Sequence, residues 1–209
     1  MSARRSLPQA ALARRKRALR AEYKAIRDAL TPAERADASA RIRARVLALP
    51  ELRAASSVLL YVPVGSEVDI FPLAEPLTDA GKTVCLPRCA AGHTLILCRY
   101  RPGDELVCGA YNIPEPAPDA AVLRTVGLIL APALVCDRHG NRLGCGGGYY
   151  DRLHASQPTV PVFAVEYDVC VCSATLPHGD LDIRLHGIIT ETDLLDFLIE
   201  ILTSEAVPA

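Results

Sequence analysis

The chain places Gly144, Gly146, Gly147 and Gly148 within five positions, just before Tyr149, Tyr150, Asp151 and Arg152. Glycine loses more backbone freedom on folding than any other residue, so a cluster of this density stands where side chains are forbidden. Upstream, the apolar run at residues 128–131 ends at Pro132 and reads as a buried strand, while a helix is expected from about Tyr149. A bare backbone between strand and helix can turn several N–H groups toward one point and hold an anion such as a phosphate. Arg142 adds a planar fork of donors, and Asp151 a carboxylate where a phosphate-bound Mg²⁺ needs one. A flexible surface loop is the plain alternative. Neither standard nucleotide motif fits. Tyr149 and Tyr150 stand where a Walker loop needs Lys and Ser or Thr, and a dinucleotide fingerprint needs glycine at position 149.

Composition restricts what surrounds this loop. With 209 residues, 50% of them hydrophobic and 22% charged, the chain is expected to form one core, with residues 1–10 a frayed basic end and 11–209 a single domain. A net charge of −1 provides no general attraction to nucleic acid or membrane, which favours a small-molecule substrate; a monomer is expected. The eight cysteines follow no apolar signal segment and read as small buried hydrophobes in a reducing cytoplasm. Cys85, Cys89 and His93 lack a zinc spacing, with Pro87 between the two thiols. No apolar run approaches the length of about 20 residues that spans a bilayer.

In chain order, Leu12, Leu19, Tyr23, Ile26 and Leu30 recur at helical spacing, and Lys16 and Arg20, four apart, share a face of that helix. Two cations there could hold a triphosphate, or simply meet solvent. Thr31-Pro32-Ala33-Glu34 is a capping box that opens a second helix, stopped by Pro50. Strands are expected at 58–62, 84–86, 94–100 and 161–165 and a short one at 188–189, with a proline-interrupted helix at 70–80 and a last helix at 193–202. Residues 111–116 carry too much proline for regular structure, and Tyr111 offers either a stacking platform for a flat ring or a packing residue. Glu67 follows a strand directly, where open α/β sheets bind ligands; it is a candidate contact for a polar heterocycle, or a solvated helix-capping acid. Helices alternate with strands without repeat or linker. The expected fold is α/β: a single layered domain with a largely parallel central sheet flanked by helices.

Asn141 to Arg152, NRLGCGGGYYDR, resembles the signature of the 5-formyltetrahydrofolate cyclo-ligase family, also called 5,10-methenyltetrahydrofolate synthetase. The likeness extends to Lys16–Arg20, Tyr61–Asp69, the Pro87-Arg88 pair, Tyr111–Pro116 and Asp182–Glu191, in family order. This resemblance implies an ATP- and Mg²⁺-dependent ligase acting on 5-formyltetrahydrofolate. By it, Lys16, Arg20, Arg142, Leu143, Gly144, Cys145, Gly146, Gly147, Gly148, Tyr149 and Tyr150 would bind ATP. Glu67, Tyr111 and Tyr149 would contact the folate, and Asp151 and Asp182 would hold Mg²⁺. The chain departs from the family pattern at Cys136 (often aromatic), at Gly147 (lysine in some members) and at His186, where a second acid often follows the metal-binding one. Histidine is a poorer partner for a hard cation. Two other readings compete: a noncatalytic, nucleic-acid-associated paralogue with the basic N-terminus as its arm, and a sugar-phosphate isomerase on a similar fold. The second would leave Lys16 and Arg20 without a role.

Overall fold

The computed structural model describes residues 8–179 and 181–197. Helix α1 (Gln9–Asp28) is followed by α2 (Pro32–Ala48), which starts at the expected capping box: the Thr31 hydroxyl accepts from Glu34 N at 3.2 Å, and Thr31 N donates to the Glu34 carboxylate at 2.8 Å. Pro50 ends α2 and opens the short α3 (Pro50–Ala54). The remainder alternates short strands with turns: β1 (Ser57–Leu59), a 3₁₀ turn at Phe71–Leu73 leading into α4 (Ala74–Asp79), β2 (Thr83–Ala90) and β3 (Thr94–Tyr100). A two-stranded ribbon, β4 (Leu106–Cys108) and β5 (Pro114–Pro116), precedes β6 (Val122–Leu123) and β7 (Leu128–Pro132). Then come a hairpin of β8 (Val135–Asp137) and β9 (Arg142–Leu143), helix α5 (Tyr149–Ser156), β10 (Val162–Val165), β11 (Val171–Cys172), β12 (Gly187–Ile189) and β13 (Leu194–Asp196).

Eight strands form the main sheet in the order β13-β12-β10-β7-β1-β2-β3-β6. The five from β12 to β2 are parallel, and antiparallel strands close both edges. The parallel strands read as continuous apolar runs because both faces are covered. Val58, Leu128, Leu130, Phe163 and Val165 point to one side, with α2, α3 and α4, whereas Leu59, Ile129, Ala131, Val162 and Ala164 point to the side that holds Leu153 of α5. Helix α1 sits apart from both faces. Its Leu19 and Tyr23 pack on Val135, Leu143 and Leu176, over the small β11-β8-β9 sheet. That docking sets α1 beside the glycine loop.

The α/β class and the largely parallel sheet agree with the sequence. Several local expectations are corrected. β2 continues through Pro87 to Ala90, because β1 ends opposite Cys85 and leaves that part of β2 paired with β3 alone; proline is tolerated in such an edge segment. The proline-rich stretch 111–116 contains a regular strand, with Pro114, Glu115 and Pro116 opposite Cys108, Val107 and Leu106 in a ribbon outside the main sheet. At the C-terminus, Leu194–Asp196 is an antiparallel edge strand, with Leu194 opposite Ile189, instead of the first turn of a helix. Residues 198–202 of that expected helix lie outside the described residues, as do residues 1–7 of the basic N-terminus. The glycine run does not leave the buried strand directly either. The β8–β9 hairpin intervenes between β7 and the loop.

Candidate active site

The segments that follow β1 and β7 and the far end of β2, at Pro87 and Cys89, gather at one end of the parallel strands, where open α/β sheets hold ligands. With α1 and the glycine loop they enclose a cleft of about 790 Å³. All the residues that the sequence singles out for ligand contact line this one cleft. Lys16 and Arg20 reach it from α1. Arg142 and Leu143 come from β9, and Gly144, Cys145, Gly146, Gly147 and Gly148 from the loop. Tyr149, Tyr150 and Asp151 stand on the first turn of α5, while Glu67, Tyr111 and Asp182 complete the wall.

The loop is built around backbone conformations closed to other residues. Gly146 has φ +105° and Gly148, the residue before α5, has φ +67°. With no side-chain cap at Gly148, the first N–H groups of α5 stay available to a ligand. Arginines hold the loop from outside: Arg20 Nε donates to Gly144 O at 2.7 Å, Arg152 Nε donates to His93 O at 2.8 Å, and Arg152 Nη2 donates to Gly147 O. The β8–β9 turn that delivers Arg142 is ordered by Asp137. Its fully buried carboxylate accepts from His139 N and Asn141 N at 2.9 Å, and from Asn141 Nδ2 and Leu176 N at 2.7 Å.

Arg142 is buried at the centre of the site. Its Nη1 donates to Pro132 O at 3.0 Å and its Nη2 to Asp151 at 3.3 Å, and its guanidinium lies 5.6 Å from the centre of the Tyr150 ring. Among the described residues its buried Nε has no hydrogen-bond partner. An unmet donor beside a glycine cradle is a place for an anionic oxygen. The two acids sit close to one another, since Asp151 accepts at 3.2 Å from the N–H of Ile183, the residue after Asp182. Asp182 accepts from Gly179 N at 2.7 Å and pairs with Lys16.

As a donor set, Asp151 and Asp182 fit Mg²⁺: hard oxygen ligands, too few to enclose an ion, which leaves positions for phosphate oxygens and water. No group of three or more His, Cys, Asp or Glu that could hold a metal occurs among the described residues. His186 is turned elsewhere. It does not line the cleft; its Nδ1 accepts from Val162 N at 3.1 Å and its ring meets His154 at 5.9 Å.

Glu67, which also lines the cleft, closes its own turn, with its carboxylate accepting from Val64 N at 3.0 Å. Burial raises its pKa above the ordinary carboxylate value, against the pull of the Val64 N–H and Arg27. Tyr111, exposed and with φ +58°, meets Tyr149 edge to face at 6.3 Å, and their hydroxyls are 3.2 Å apart. That hydrogen bond raises the Tyr149 pKa above the ordinary phenol value. Cys145 sits among backbone amides, where its thiol could be activated; desolvation instead pushes it up, outweighing Arg27, Arg142 and Arg20.

Sequence reasoning passed over Arg27, Glu166 and Asp137. Arg27, 4% exposed, pairs at 3.2 Å with Glu166, 1% exposed. No local spacing signals a pair so far apart in the chain.

The model of the 5-formyltetrahydrofolate cyclo-ligase family matches residues 13–191. The chain belongs to that family. Within it, the Escherichia coli 5-formyltetrahydrofolate cyclo-ligase is 32% identical over 178 residues, covering 82% of this chain and 97% of that protein. The Mycolicibacterium smegmatis cyclo-ligase is 44% identical over 121 residues, 54% of this chain and 62% of its own. The solution structure of Aquifex aeolicus 5,10-methenyltetrahydrofolate synthetase superposes with a TM-score of 0.76 at 31% identity, covering 87% of this chain and 92% of that one. Membership in the cyclo-ligase family makes the chain an enzyme, with the single-domain synthetase fold. No helix among the described residues is long and apolar enough to cross a membrane.

Proposed function

We propose that this enzyme closes 5-formyltetrahydrofolate to 5,10-methenyltetrahydrofolate, with ATP converted to ADP and phosphate. One observation carries the reading: the anion donors Lys16, Arg20, Arg142 and the glycine loop share a single cleft with Glu67, Tyr111 and Tyr149, side chains suited to a polar heterocycle. In this reading the amides of residues 144–149 and the unmet Arg142 Nε take the terminal phosphates. Lys16 and Arg20 neutralise the remaining charge from α1. Asp151 and Asp182 would hold Mg²⁺, which supplies charge neutralisation to the phosphates; Lys16 and Arg142, which pair with these acids, are themselves phosphate partners.

The chemistry asks for positioning more than for a side-chain nucleophile. The formyl oxygen belongs to an amide and leaves poorly. Transfer of the γ-phosphoryl group to that oxygen forms the O–P bond as the bond to ADP breaks. N10 then attacks the formyl carbon, loses its proton, and the C–O bond breaks with departure of phosphate. Arg142 and the loop amides would stabilise charge on the transferred group, while Glu67, Tyr111 and Tyr149 hold the heterocycle so that N10 faces the carbon. Cys145 has no step. Purified protein should generate the methenyl absorbance from 5-formyltetrahydrofolate when ATP and Mg²⁺ are both supplied, and none when either is omitted. Folded protein with no such absorbance would instead point to a noncatalytic paralogue.

A further inference from the structure

Burying a guanidinium and a carboxylate together is expensive, and an apolar pair of similar volume would often stabilise a fold as well. Arg27, which lines the cleft, and its partner Glu166 are nevertheless both buried, and the contacts of Arg27 go to segments that form the cleft. Arg27 Nε donates to Ser66 Oγ at 3.1 Å, and Nη1 donates to Ala133 O at 2.7 Å and to Glu166 at 3.2 Å. Ser66 precedes Glu67. The same loop is held twice more: the Ser66 hydroxyl donates to Asp28, at the end of α1, at 2.5 Å, and the Tyr167 hydroxyl donates to Glu67 O at 3.4 Å. Tyr167 follows Glu166, whose other oxygen accepts from Tyr167 N at 2.9 Å. Arg27 also opposes the effect of burial on the Glu67 carboxyl.

The adjacent carbonyls of Pro132 and Ala133 each hold an arginine that lines the cleft: Pro132 O accepts from Arg142, which pairs with Asp151, and Ala133 O from Arg27, which reaches Ser66.

We propose that Arg27, oriented by Glu166, is a positioning residue for the folate: it fixes the Ser66–Glu67 turn and so sets affinity for the folate without touching the triphosphate. A lysine cannot replace it, because one ammonium cannot present the planar fork that reaches Ser66, Ala133 and Glu166 together. The inference rests on Glu67 facing the folate.

The test is a kinetic comparison of wild type, Glu67→Gln, Arg27→Lys and Ser66→Ala, with KM measured separately for 5-formyltetrahydrofolate and MgATP. The folate KM should rise about tenfold in Arg27→Lys and about threefold in Ser66→Ala, with the MgATP KM within about twofold of wild type in both. Ser66→Ala removes the hydroxyl that meets Arg27 Nε and Asp28 but leaves the Arg27–Glu166 pair in place, so it remains informative if Arg27→Lys does not fold. An unchanged folate KM in the folded variants, or an equal rise for both substrates, would overturn the proposal, since general loosening moves both. Glu67→Gln separates the two levels of inference. If it leaves the folate KM unchanged, the placement of the folate fails and this proposal with it. If it raises that KM while Arg27→Lys and Ser66→Ala do not, only the positioning role fails.

Discussion

Arg142 faces the glycine loop, stacks on Tyr150, pairs with Asp151 and, among the described residues, keeps one buried donor unmet. Removing donors aimed at developing charge costs about 10²–10³ in turnover where it has been measured on comparable groups. Arg142→Ala and Asp151→Asn are therefore expected to lower kcat by at least about 100-fold while keeping the folded circular-dichroism spectrum; wild-type rates in both would remove the phosphate-site argument. Glu166 gives a second residue-scale expectation. Burial raises its carboxyl to about 7, against the pull of Arg27. A carboxyl that holds its proton more tightly when folded contributes stability that is complete below the ordinary value of 4.5 and is lost as pH rises through about 7. Wild type should thus lose stability relative to Glu166→Gln between about pH 5 and about pH 8, as read by urea denaturation. A pH-independent difference would mean that the group titrates alike in both states.

Elements differ in how far sequence discloses them. The α2 start was legible because capping is local: Thr31 and Glu34 satisfy each other's orphan groups within one turn. The glycine loop was legible because a positive φ leaves glycine as the usual choice. The β8–β9 hairpin was not, since it is held by Asp137 reaching Leu176 and by α1 packing over it, contacts formed only in the folded chain. The edge strand β13 was missed because acids beside an apolar run read equally as a helix start, and pairing with β12 decides. Two substitutions separate local stability from function. Thr31→Ala should cost about 1 kcal/mol with kinetics unchanged. Gly146→Ala, at φ +105° and with its Cβ 3.4 Å from the Arg20 guanidinium, should cost about 1–3 kcal/mol and raise the KM for MgATP. Equal kinetic effects of the two would contradict the assignment of this loop to the nucleotide.

Across the whole molecule, a parallel sheet delivers the loops after β1 and β7 and the far end of β2 to one end, and α1 closes that end from a separate small sheet. The candidate ligand contacts could be read from sequence because chemistry-bearing residue types stand out singly: a lysine and an arginine four apart, a glycine run, an acid after a strand. Their support could not, because Arg27, Glu166 and Asp137 look like ordinary surface charges until the fold buries them. The central claim is that a backbone without side chains gathers its amides on the terminal phosphates of ATP. Hydrogen–deuterium exchange with and without a nonhydrolysable MgATP analogue tests it directly. The amides of residues 144–150 should become strongly protected while the edge strands β6 and β13 stay unchanged; bound nucleotide with unprotected loop amides would contradict the account.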